Sequence, residues 1–128
     1  MKREVIASDK APGAIGPYSQ AIKCECSGFL FCSGQIPIKP DTGEVLQLGA
    51  SEQTRQVLEN LKAVLAEAGL GFENVVKTTV YLDSMDDFNL MNEIYEKFFP
   101  ADPPARAAFE VSRLPKNVKV EIEAVACF

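Results

Sequence analysis

The sequence predicts an α+β domain: a mixed β-sheet with two helices packed on one face. Three observations predict it. Six short segments are enriched in β-branched and aromatic residues, two longer ones carry apolar residues at helical spacing, and the order runs strands, helix, strand, helix, strands. Helices that each own one apolar stripe must bury it, and a shared sheet face is the simplest place to do so.

Taken in order, "REVIASD" (3–9), "QAIKCECSG" (20–28) and "FLFCSGQIPI" (29–38) read as three strands, with the Gly- and Pro-rich "KAPGAIGPYSQ" as a loop between the first two. "KPDTGEV" is a turn. From Ser51 to Ala68 the residues Val57, Leu58, Leu61, Val64, Leu65 and Ala68 recur at helical spacing, with Ser51 placed as N-cap and Gly69 just past the C-terminus. "VVKTTVYL" (75–82) is β-rich. Ser84 then caps a second helix whose Phe88, Met91, Tyr95, Phe98 and Phe99 make an apolar stripe ending before Pro100. Two strands, about 105–111 and 118–127, close the chain around "SRLPKN".

At 128 residues the chain fits a single domain, 1–128, large enough to fold on its own core. No segment reaches the roughly 20 apolar residues of a bilayer span, and the basic start "MKRE" leads into no apolar signal region, so a cytoplasmic location is expected. Net charge is -5 with Lys and Arg scattered, which argues against a nucleic-acid partner. Cys24, Cys26, Cys32 and Cys127 are spread along the chain, so they are expected to be reduced thiols with no metal site. The chain has no histidine, which removes Ser-His and Cys-His pairs and imidazole bases alike.

Strand alternation sorts the closing segments by face. In the last strand Val118, Val120, Ile122, Ala124 and Ala126 point one way, toward the helices, and Glu121 and Glu123 point the other. In the strand before it, Ala105, Ala107, Phe109 and Val111 share one face and Arg106, Ala108 and Glu110 the other. Arg106 is thereby expected on the uncovered face together with Glu121. The ordinary reading is a cross-strand ion pair; the functional one is an arginine fork for a carboxylate with a glutamate beside it to handle water. The apolar end "AVACF" favours association between copies of the chain.

The motifs "PARAAF", "RLP" and "VEIEAV", with "IGPYSQ" (15–20), "CSGQIP" (32–37) and "GLGFENVVKTTVYL" upstream, resemble the signature of the RidA/YjgF family across nearly the whole chain. The resemblance implies a chorismate-mutase-like fold and a homotrimer with a pocket in each inter-subunit cleft. It implies hydrolysis of reactive 2-imino acids, such as 2-iminobutanoate and 2-iminopropanoate, to 2-oxo acids and ammonia, with no cofactor. Arg106 falls on the family's carboxylate-binding arginine and Glu121 on its water-positioning glutamate. Tyr18, Ser33, Gly34 and Asn92 fall on substrate-contacting positions. Ala108 stands where the family often has cysteine, a change expected to alter pocket shape more than activity. An arginine beside Glu121 is expected to lower its pKa and leave it a poor base. Two other readings use the same residues: a non-catalytic sensor of small carboxylates, and an endoribonuclease, which the acidic composition and missing histidine count against.

Overall fold

The computed structural model describes residues 1–128. Strands β1 (Lys2–Ile6) and β2 (Ala21–Glu25) pair antiparallel as a small separate sheet. The main sheet contains β3 (Phe29–Gln35), β4 (Val75–Leu82), β5 (Ala105–Glu110) and β6 (Val120–Cys127), in the order β3-β6-β4-β5. All its pairings are antiparallel except β4 with β5, which is parallel. The parallel pair needs a crossover, and helix α2 (Phe88–Phe98) supplies it; α1 (Ala50–Glu67) connects β3 to β4.

Both helices pack on the same face of the main sheet, as the sequence predicts. Val57, Leu58, Leu61 and Leu65 of α1 and Met91, Ile94 and Tyr95 of α2 meet Val80, Leu82, Val120, Ile122 and Ala124 in one core. Val64 stays partly exposed, because one helix stripe can cover only part of a four-stranded sheet. The predicted Ser51 cap is corrected: α1 starts at Ala50 after Gly49, with no side-chain cap. Gly69 does end the helix as expected, at φ +71°, where its missing Cβ avoids the left-handed penalty. Ser84 Oγ accepts from Asp86 N at 3.2 Å and so caps a short 3-10 turn that leads into α2.

The far face of the main sheet is open. It carries Phe29, Phe31, Thr79, Tyr81, Phe109, Glu121, Glu123 and Val125, as the strand registers dictate. Phe31 is 76% exposed, Phe29 58% and Phe109 44%, so aromatic rings stand in water at both edges of this face. A depression of about 220 Å³ lies on this face between Phe31, Lys77, Thr79, Glu123 and Val125.

The thiols depart from expectation. Cys24 and Cys127 are joined in a disulfide, and only Cys26 and Cys32 are free. Spacing along the chain hid this, because the turn after β2 holds the C-terminus: Ser27 N and Gly28 N both donate to Phe128 O, and Phe128 N donates back to Gly28 O. That clasp brings residues 103 positions apart into contact.

Candidate active site

Arg106 lies on the helix face, which corrects the alternation argument above. Its parallel register partner is Thr78, fully buried under α2, so Arg106 shares a face with Thr78, Val80 and Leu82. The error had a physical source. Phe109 looked like the core side of β5, yet it belongs to the open face, where its ring stands edge-on to Tyr81 at 5.3 Å. When both faces of a sheet carry apolar residues, alternation gives the period and leaves the assignment of faces open.

The guanidinium of Arg106 is half-buried in an aromatic cradle. Its Cζ lies 4.8 Å from the ring centre of Tyr95 and 5.6 Å from those of Phe88 and Tyr18. Nη1 donates to Asn92 Oδ1 at 2.8 Å, and Met91 Sδ is 3.9 Å from the same nitrogen. No carboxylate pairs with it: the chain's single ion pair is Lys39–Glu44. The cross-strand ion pair is thereby excluded within the chain. Burial lowers the Arg106 pKa from its ordinary range, with the Tyr95 and Tyr18 hydroxyls opposing that shift.

Each wall of the cradle has a local cause. On α2, Phe88, Asn92 and Tyr95 fall at helical spacing and so project together over β5. The Tyr95 hydroxyl is locked by Thr78 Oγ1 at 2.7 Å, and burial pushes its pKa up to about 12, so it stays a neutral phenol. Tyr18 arrives on the "IGPYSQ" loop. Ser19 N donates to Pro104 O at 3.1 Å and Ser19 Oγ donates to Pro103 O, stitching that loop to the start of β5. A Cβ on Gly16 would sit 3.7 Å from Arg106 Nη2, so the loop backbone passes close to the fork.

Glu121 is elsewhere. It pairs with Tyr81 across β6 and β4, three residues along β4 from Thr78 and therefore on the opposite, open face. It was correctly expected there; its expected company with Arg106 is what the fold does not provide. Ser33 and Gly34 lie in a bulge of β3, where the register to β6 shifts between Cys32 and Gln35. A Cβ added to Gly34 would collide with Glu121 Oε1, so this glycine makes room for the carboxylate. Glu123, two residues on, accepts a 2.7 Å hydrogen bond from the Tyr81 hydroxyl. With no arginine beside it, Glu121 has a pKa raised above its ordinary 4.5, by burial first and by the like charge of Glu123 second. The lowered pKa expected from the sequence is corrected.

The six candidate residues thus form two half-sites. Arg106, Asn92 and Tyr18 lie together at the β5 edge on the helix side; Glu121, Gly34 and Ser33 lie together on the open face. None of the chain's five cavities is lined by Arg106 or Glu121. Sequence reasoning missed the cradle residues Phe88, Tyr95 and Thr78, although the Phe88, Asn92, Tyr95 spacing already marked one face of a helix.

The sequence profile described as "Endoribonuclease L-PSP" matches residues 8–128. Among curated proteins, a RutC family protein of Pyrococcus abyssi is 55% identical over 126 residues, covering 98% of both chains. The human 2-iminobutanoate/2-iminopropanoate deaminase is 49% identical over 124 residues, covering 97% of this chain and 89% of its own. Among solved structures, that of E. coli TdcF with bound serine superposes with a TM-score of 0.75 at 42% identity, covering 98% of each chain.

Proposed function

The chain belongs to the endoribonuclease L-PSP family, the RidA/YjgF proteins with a chorismate-mutase-like fold, and from that premise we propose that it hydrolyses reactive 2-imino acids to 2-oxo acids and ammonium. The observation that carries this reading is the Arg106 guanidinium: half-buried, flattened among three rings, and without a carboxylate of its own. A desolvated cation of that kind is completed by an anion, and a planar fork suits a substrate carboxylate. Asn92 aims it by accepting from Nη1, which leaves Nη2 for the ligand.

The two half-sites become one site if Glu121 comes from a second copy. The aromatic open face around Glu121 supplies the surface for such an association, and a cyclic trimer repeats the same contact at each boundary. In that cleft Arg106 of one subunit holds the carboxylate and so sets C2 within reach of a water on Glu121 of the next. Water adds to the C=NH2⁺ carbon, Glu121 accepts its proton as the C–O bond forms, and the proton returns to nitrogen. The C–N bond then breaks as Glu121 takes the hydroxyl proton, so the 2-oxo acid forms and the departing ammonia carries that proton away as ammonium. The iminium is already electrophilic, so positioning and one proton relay suffice and no cofactor is needed. Ser33 and the Gly34 backbone border the water, and Tyr18 closes the carboxylate side.

The test generates imines in situ with a threonine dehydratase and follows 2-oxobutanoate and ammonium release. Arg106→Ala should lower kcat/KM by roughly 10²–10³-fold, the value of one charge-assisted clamp, and Arg106→Lys should recover little because it lacks the fork. Wild-type protein that binds 2-oxobutanoate without accelerating release over the spontaneous rate would instead be a carboxylate sensor.

A further inference from the structure

We propose that Cys24, Cys26 and Cys127, once reduced, form with the Met1 thioether a binding site for one soft d10 metal ion of the copper(I) class. The three cysteine sulfurs all lie within 4.8 Å of one another. Met1 Sδ is 3.1 Å from Cys127 Sγ. Four sulfur donors with no histidine anywhere in the chain make a donor set that selects by softness, and thiolate with thioether favours copper(I) over harder ions.

The site is built by the backbone. Cys24 lies on β2 and Cys26 just past its end, two residues on, and the two thiols converge on the same side of the chain together with Cys127. The clasp between Ser27, Gly28 and Phe128 immediately follows Cys26 and holds Cys127 opposite them. Asn74 Nδ2 donates to Cys127 O at 3.1 Å and steadies the same strand end. Cys127 is fully buried, while Met1 is about half exposed and forms the side from which an ion enters.

The spacing suits ligation better than a disulfide alone. The Cα atoms of Cys24 and Cys127 are 7.5 Å apart, beyond the roughly 4.4–6.8 Å that disulfides span. Two thiolates sharing one ion with bonds of about 2.3 Å hold their sulfurs ~3.8 Å apart, which accommodates the wider backbone separation. A pairwise disulfide also leaves Cys26 without a role; a three-thiolate site uses it. Opening the disulfide consumes two electrons and two protons from a dithiol reductant, which is itself oxidised to its cyclic disulfide. Each cysteine that then binds the metal releases its proton to solvent.

The experiment uses the full chain, reduced anaerobically with a dithiol and freed of reductant, then titrated with copper(I) against a chromogenic copper(I) chelator. One ion per chain should be withheld from the chelator, with Cys24, Cys26 and Cys127 protected together from alkylation. Cys26→Ser, which spares both disulfide partners, should weaken retention at least tenfold, whereas Cys32→Ala, a core thiol outside the cluster, should leave it unchanged. Retention that survives Cys26→Ser, the absence of retained copper in the reduced chain, or a Cys24–Cys127 bond that the dithiol does not open would each overturn the assignment.

Discussion

Arg106 takes its character from what surrounds it. Three aromatic rings withdraw it from water, one amide carbonyl orients it, and no acid neutralises it. Asn92→Ala removes the oxygen that aims Nη1, so KM should rise several-fold more than kcat falls in steady-state assays on generated imines. Glu121 has the complementary setting, in which burial and Glu123 hold its proton more tightly than usual. A raised pKa means that the active carboxylate is lost on acidification at a higher pH than for a free glutamate. Glu123→Gln deletes the like charge, so the acid limb of the kcat/KM profile should move to lower pH; an unmoved limb would show that Glu121 does not limit it. At this scale Arg106 and Glu121 could be singled out as candidates from their motifs. Their electrostatics could not be read there, because a pKa depends on which faces and loops meet in three dimensions.

At the scale of elements, the contact between α2 and the β4–β5 pair decides whether the cradle exists. Tyr95 is fully buried, and its hydroxyl finds its partner in Thr78 on β4. Thr78→Val keeps the shape and strands that hydroxyl, which should cost about 1–3 kcal/mol in denaturant unfolding and loosen the Arg106 wall with it. Both helices and all the main-sheet strands were readable from periodicity, since 3.6- and 2-residue repeats are local properties. The face of β5 was not. It is an edge strand whose open side, with Ala105, Ala107 and Phe109, is more apolar than its covered side, with Arg106, Ala108 and Glu110, and only its parallel register to β4 settles which side Arg106 takes. The β3 bulge at Ser33 and Gly34, and the carboxylate that Gly34 makes room for, came into view only with β6 alongside.

At the scale of the whole molecule, two half-sites on opposite faces make assembly part of the proposed chemistry. Arg106→Ala and Glu121→Ala chains, each inactive alone, should regain activity when unfolded together and refolded as a mixture. In a cyclic assembly roughly one boundary in four then pairs an intact arginine with an intact glutamate. Equal inactivity of the mixture would place both residues in sites made by one chain. Phe31→Glu, at the most exposed aromatic of the open face, should shift the mass seen by light scattering toward the single chain and abolish activity with it.

The sequence by itself determined the helix and strand pattern, the layering of two helices on one sheet face, and the motifs that carry Arg106 and Glu121. These follow from local periodicity and from motifs contiguous along the chain. Only the tertiary structure decided that Arg106 and Glu121 stand on opposite faces, that Glu121 has no arginine beside it, and that three of the four cysteines converge. The reason is common to all three. Each depends on strand register and on the closing of the C-terminus onto the Ser27–Gly28 turn, pairings between distant segments that no local pattern encodes.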